Sequence, residues 1–124
     1  ARLATADGRG RPYLVPICYV YLPGTLYTAI DTKPKTVRPS KLRRLRNIGE
    51  NPWVSVLVDR YDEDWSRLAY VLVLGRAEVV RDEEERDEAK ALLRDKYPQY
   101  NSTEITREVV KIVPERIIHW GYLH

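Results

Sequence analysis

Cysteine and histidine are scarce in this 124-residue chain, which has one of the first and two of the second. A lone cysteine excludes an internal disulfide, so the chain reads as one kept in a reducing, cytoplasmic compartment. Cys18 lies in an apolar run and reads as a small buried hydrophobe. With so few soft ligands, and no HExxH or CxxC spacing, no metal site is expected. Walker and GxGxxG loops are also missing. No apolar run approaches the ~18 residues that a membrane helix needs, so no membrane partner is expected. No targeting segment is visible. Repeats, low-complexity tracts and linkers are missing too, and residues 1–124 read as a single domain. Excess charge is small: the net charge is +3 and the pI about 9.0. That suits anionic ligands without demanding nucleic acid.

What is present is an ordinary globular mixture, 44% hydrophobic and 31% charged. The opening ARLATADGRGRP reads as strand, turn and strand, with Asp7-Gly8 as the hairpin signal and Gly10 adding slack. In RPYLVPICYVYL both alternating sets are apolar: Tyr13, Val15, Ile17 and Tyr19 on one, Leu14, Cys18 and Val20 on the other. Pro16 interrupts this strand, because proline cannot donate to a ladder. PGTLYTAID follows as a turn and a third strand. Ser40 is positioned to cap a helix that runs to about Gly49, and Asn51-Pro52 closes the connection. In WVSVLVD the valines at 54, 56 and 58 share one face. LAYVLVLGRAEVV is a long strand with a bulge or bend at Gly75.

Asp82 and Glu85 have capping-box spacing, acids crowd the start of the segment they open, and Pro98 stops it, so a second helix is expected there. REVVKIVPERIIHWGYL is the last strand. About six mostly consecutive strands and two helices predict a mainly β protein, an antiparallel sheet closing into a small barrel. Several strands are apolar on both faces. One face fills the barrel, and the other needs a helix, a ligand or a second copy to cover it. A homodimer is therefore expected.

The segment SKLRRLRNIGENPWVSVLVD, residues 40–59, raises the functional question. At about 100° per residue, Leu42, Leu45 and Ile48 form a buried stripe, and Arg43, Arg46 and Asn47 lie opposite, in water. Lys41 points within the apolar arc and Arg44 borders it. Cations on the core side of a helix need an anionic partner or a route for their tips to solvent. Lys33, Lys35 and Arg38 precede them on a loop. Together these groups can converge on one anion at the helix N-terminus. The same pattern also fits a solvated basic face, and the spacing alone leaves both open. A nucleic-acid site would interleave aromatics with exposed cations. Trp53 and the tyrosines instead sit in strand patterns, so no nucleic acid is expected.

The ordered set RLATADGRGRPYLVPICY, LYTAIDTKPK, LRRLRNIGENPWVSVLVD, DEDWSRLAYVLVLGRAEVV and PERIIHWGY resembles the pyridoxamine 5'-phosphate oxidase-like split β-barrels. It is most similar to the branch of probable deazaflavin (coenzyme F-420)-dependent enzymes. The resemblance implies a six-stranded split barrel, a homodimer and a flavin-type cofactor at the subunit interface. Arg44, Asn47, Asn51 and Pro52 fall where the family has a cation, an Asn and an Asn- or Asp-Pro before a valine-rich strand. The family's usual lysine is replaced here by Arg44, which can bind phosphate in bidentate fashion. Lys33, Lys35 and Lys41 become candidates for the cofactor's phosphate or acidic tail. Val15, Pro16 and Ile17 match the strand whose backbone approaches the flavin ring. Pro16 has no N–H, so any hydrogen bonds there come from its neighbours. The resemblance places Trp65 in DEDW near the cofactor, that of its own subunit or of the other, or in packing at the dimer interface.

These features together predict an oxidoreductase using reduced F-420, with FMN as the alternative, acting on a small, flat conjugated substrate. A non-catalytic flavin-binding module is the rival. No general acid stands out, and a tyrosine or solvent would supply the proton. His119 reads as structural or interfacial. Asp62, Glu63 and Asp64 read as a solvated turn.

Overall fold

The computed structural model describes residues 1–31, 43–101 and 105–121. Strands β1 (Arg2–Ala6), β2 (Pro12–Pro16), β3 (Val20–Leu22), β4 (Thr25–Asp31), β5 (Trp53–Arg60), β6 (Ala69–Val79) and β7 (Ile105–Gly121) form the sheet. Helix α1 (Arg43–Glu50) precedes β5, and α2 (Glu83–Lys96) lies between β6 and β7. The fold is the expected mainly β one, with seven strands rather than six. The extra strand arises at Pro16, where the predicted second strand breaks into β2 and β3.

The sheet order is β2-β1-β5-β6-β7-β4-β3, and every neighbouring pair is antiparallel. Laid flat, its outer strands would stand roughly 29 Å apart, six steps of ~4.8 Å. They are joined by Ile17, Cys18 and Tyr19 alone, and such a link reaches at most about 14 Å. The sheet must therefore curl on itself. Hydrogen bonds across the link show the closure. Ile17 N–H donates to the Ala1 carbonyl at 2.9 Å on one side. The Thr28 hydroxyl donates to the Cys18 carbonyl at 2.7 Å on the other. Lys96 clamps the link from outside, its Nζ 3.6 Å from the Tyr19 ring centroid and 2.8 Å from the Tyr19 carbonyl.

The two alternating apolar sets of this segment serve two cores. Val15, Ile17 and Tyr19 pack against an inner cluster of Leu3, Leu26, Val54, Val56, Val73 and Ile112, closed by Leu45 and Ile48 of α1. Cys18 and Val20 join an outer cluster in which Ala89 and Leu93 of α2 cover Tyr27, Ala29 and Val109. Asp82 caps α2 by accepting from the Glu85 N–H at 2.9 Å, as its spacing predicts. In the first hairpin the Asp7 carboxylate accepts from the N–H groups of Arg9 and Arg11, and Gly10, not Gly8, takes the left-handed conformation at φ 83°. Those contacts, the Arg11 N–H first, hold the Asp7 carboxyl below the usual carboxylate range.

On the outside, α2 covers only the β3, β4 and early β7 region. Among the described residues, no helix covers the outward residues of β1, β5, β6 and late β7. Register aligns Arg2, Leu57, Leu72 and Ile118 in one row and Ala4, Ser55, Leu74 and Arg116 in the next. Tyr70 and Trp120 stack beside them at 6.2 Å. Among the described residues, α2 thus covers one part of the second apolar face and leaves the rest open.

Candidate functional site

A groove of about 510 Å³ opens on this uncovered face. Its floor is Ala4, Ala6, Ser55 and Gly75, and its walls are Pro12, Trp53, Leu74, Glu115 and Arg116. Small outward side chains on adjacent strands leave the gap between larger neighbours. The bulge at Leu74 and Gly75 shapes its far end. Leu74 pairs with Arg116 and Gly75 with Pro114, so Glu115 is the extra residue. A bulge re-aims side chains, and here both Glu115 and Arg116 reach the groove. The bend expected at Gly75 is present, with its inserted residue on β7. Gly75 itself sits so close to β7 that a Cβ would collide with the Val113 carbonyl.

Trp53 is 55% exposed, and the guanidinium of Arg76 lies 5.4 Å from its ring centroid. Among the described residues the Arg116 side chain makes no hydrogen bond or ion pair, while its backbone lies in the β6–β7 ladder. Arg43 lies 5.7 Å from the Tyr13 ring. Positive groups therefore lie at the groove at Arg116 and at Arg76 beside Trp53.

Helix α1 abuts the other end. The Asn47 amide donates to the Thr5 hydroxyl at 3.0 Å, and both side chains are buried. Thr5 also contributes to the groove wall. Arg44 is half-buried and lies three residues before Asn47, which puts it about one turn, ~5 Å, further along the helix. Leu45 and Ile48 are buried and Arg43 and Arg46 exposed, as the periodicity predicts. Asn47 is the correction. Placed in water by a helical wheel centred on Leu45, it is buried, because α1 leans on β1 and Thr5 satisfies its amide.

Val15 and Ile17 are half-buried and join the inner core beside α1, while Pro16 is exposed. The Ile17 N–H is engaged by Ala1. By period two, the backbone groups of residues 12, 14 and 16 then face away from β1. Pro12 and Pro16 have no N–H, so the outer edge of β2 offers one donor, at Leu14. Lys33, Lys35, Arg38 and Lys41 lie outside the described residues, as do Ser40 and Leu42.

Trp65 stands apart. It is 74% exposed on the turn joining β5 to β6. Strand β5 separates that turn from α1 by eight residues, roughly 26 Å. Arg44 and Trp65 of one chain therefore do not meet. The acidic turn is occupied with its own structure: Asp64 caps Trp65–Arg67, Asp62 accepts from the Asp64 N–H, and Arg67 lies 3.7 Å from Asp62. The groove walls formed by Trp53, Glu115 and Arg116 escaped sequence reasoning. The Gly75 bend was the available signal, but only the pairing register shows which β7 residues it turns outward.

The comparisons agree with this architecture. The sequence profile described as pyridoxamine 5'-phosphate oxidase matches residues 1–121. The chain belongs to that family. An FAD-binding protein from Mesorhizobium loti is 27% identical, with a TM-score of 0.66 over 95% of this chain and 80% of that one. A conserved hypothetical protein from Mycobacterium tuberculosis is 24% identical, with a TM-score of 0.75 over 97% and 75% of the two chains. The heme storage protein HutZ from Vibrio cholerae is 19% identical, with a TM-score of 0.73 over 94% and 82%. A search of curated proteins finds no significant match. Among the described residues, no helix is long and apolar enough to cross a membrane, and no group of three His, Cys, Asp or Glu side chains could hold a metal.

Proposed function

We propose that this chain is a flavin-class oxidoreductase that uses F-420, with FMN as the alternative, and works as a homodimer closed over its uncovered sheet face. The observation that carries the reading is an open groove lined in part by Thr5, which is hydrogen-bonded to Asn47 on the helix that carries Arg44, in a chain whose family profile spans residues 1–121. The relative at 27% identity whose name records FAD binding supports a flavin-type ligand.

The residues present suit such a group. The groove offers a mainly apolar bed with an aromatic wall, with Arg116 in its lining and Arg76 beside Trp53. Arg44, with Lys33, Lys35 and Lys41, would grip the phosphate or acidic tail. The density of cations around α1 favours the more acidic tail of F-420 over FMN. The edge of β2 at Val15, Pro16 and Ile17 would border the ring, with Leu14 as its N–H donor. Trp65 would reach the site only from a second copy, across the dimer. When bound, the cofactor supplies the hydride. The chain orients it, excludes water from the sheet face and leaves proton supply to a tyrosine or to solvent.

Titration of the purified chain with F-420 and with FMN tests the reading. Binding at micromolar concentration is expected, tighter for F-420. Failure of both to bind would end the proposal. Single-turnover oxidation of the bound reduced cofactor by candidate acceptors separates an oxidoreductase from a non-catalytic carrier.

A further inference from the structure

The bulged end of the groove is chemically unlike the end near α1. The bulge turns both Glu115 and Arg116 into it, and Trp53 forms the facing wall with Arg76 over its ring. A wall of this kind favours a flat π system. An arginine over one face holds the indole in place and adds positive potential beside it. Arg116, with no partner among the described residues, supplies a forked donor suited to a carboxylate. Glu115 lies at the same rim and repels a second negative charge, which limits the ligand to one anionic group near this end.

We infer that the Trp53–Arg116 end of the groove is a recognition site for a planar conjugated monocarboxylate, the substrate class of the oxidoreductase proposed above. The inference rests on that reading for the ligand's role as substrate. Its binding can be measured without any cofactor. Arg116 is the specificity-determining contact, Trp53 the stacking wall, and Arg76 a positioning residue that acts through Trp53.

The test is a fluorescence titration of the full chain with 2-naphthoate and, as a neutral counterpart, 2-naphthamide. Quenching of tryptophan is the signal, and Trp53→Phe should remove most of it while Trp65 and Trp120 still emit. Wild-type protein should bind 2-naphthoate about tenfold more tightly than the amide, the scale of one charge-assisted hydrogen bond. Arg116→Gln should abolish that preference, Arg116→Lys should keep part of it, and Glu115→Gln should strengthen it. Ser55→Leu, which fills the floor, should prevent binding of both probes, with circular dichroism confirming that the variant is folded. Equal affinities for the two probes in wild type, a preference that survives Arg116→Gln, or no binding because a second copy already fills the groove would each overturn the inference. A chain that binds F-420 or FMN but not 2-naphthoate would lose this inference and keep the proposed function. The reverse outcome would keep the site and remove its assignment as a cofactor-dependent substrate site.

Discussion

Beside the apolar packing of Leu45 and Ile48, a buried polar contact between Asn47 and Thr5 ties helix α1 to the barrel, and removing it should affect both stability and the proposed cofactor grip. Asn47 and Thr5 are each 3% exposed and share a hydrogen bond of 3.0 Å between the amide and the hydroxyl. Thr5→Val keeps the side-chain shape but leaves the Asn47 amide buried without its acceptor, which costs about 1–3 kcal/mol. Asn47→Ala orphans the Thr5 hydroxyl and also opens a void between α1 and β1, so its cost should lie at the upper end of that range or slightly above it. The double variant makes neither orphan. It should be less destabilised than the sum of the two by roughly 1–2 kcal/mol. Urea unfolding of the four proteins, followed by tryptophan fluorescence and analysed with a common slope, measures that coupling. Asn47→Ala should also weaken cofactor binding, because Arg44 rides one turn away on the helix that Asn47 anchors. Additivity of the two substitutions within about 0.5 kcal/mol would refute the buried bond as the attachment of α1.

Other parts of the fold make separate predictions. Gly75→Ala forces a Cβ against the Val113 carbonyl, a backbone atom that cannot swing aside, and should lower stability by about 1–3 kcal/mol in a thermal melt; an unchanged melting temperature would contradict the close approach. Burial, then its 2.6 Å hydrogen bond to Glu85, pushes the Tyr27 hydroxyl from 10.0 up to about 12. A group whose native value is raised stabilises fully below its unfolded value and loses that contribution as pH climbs through the native one. Stability should therefore fall between pH 10 and 12 by roughly 2–3 kcal/mol, and Tyr27→Phe should flatten that fall in alkaline unfolding curves. Lys96→Met removes the cation from the Tyr19 ring and the donor from the Tyr19 carbonyl. It should cost about 1 kcal/mol and speed hydrogen exchange at Tyr19, whose N–H is bonded to the Tyr97 hydroxyl at 3.1 Å; unchanged exchange would show that the clamp does not hold the barrel shut.

How much of this was legible depended on how local the cause was. The Asp82 cap, the β5 valines and the two apolar sets around Pro16 are written in short-range periodicity and end signals; the cap and the valines hold, and the sets hold from Val15 onward while Tyr13 and Leu14 are exposed. The split of the second strand at Pro16 was signalled by the proline itself, but the count of seven needed the pairing of β3 with β4. Asn47 was misplaced because a helical wheel shows which residues share a face, not which neighbour a helix leans on. Only the packing of α1 on β1 sets that, and a threonine on another strand makes the site tolerable for an amide. Glu115 and Arg116 could not be placed by period two, because one inserted residue reverses the alternation beyond it. The exposure of Trp53 was equally hidden, since it depends on where α2 fails to cover the sheet. The basic segment remained ambiguous for a different reason: an anion grip and a solvated face have the same spacing.

The central claim is that cations on and before α1 hold an acidic flavin-type cofactor. The most direct measurement is the dissociation constant of F-420 and of FMN for the wild-type chain and for Arg44→Glu, read from cofactor fluorescence. The account predicts micromolar binding in wild type, tighter for F-420, and at least about a tenfold loss in the variant from removing one charge-assisted contact and adding a like charge. An unchanged dissociation constant in a folded Arg44→Glu protein would contradict it.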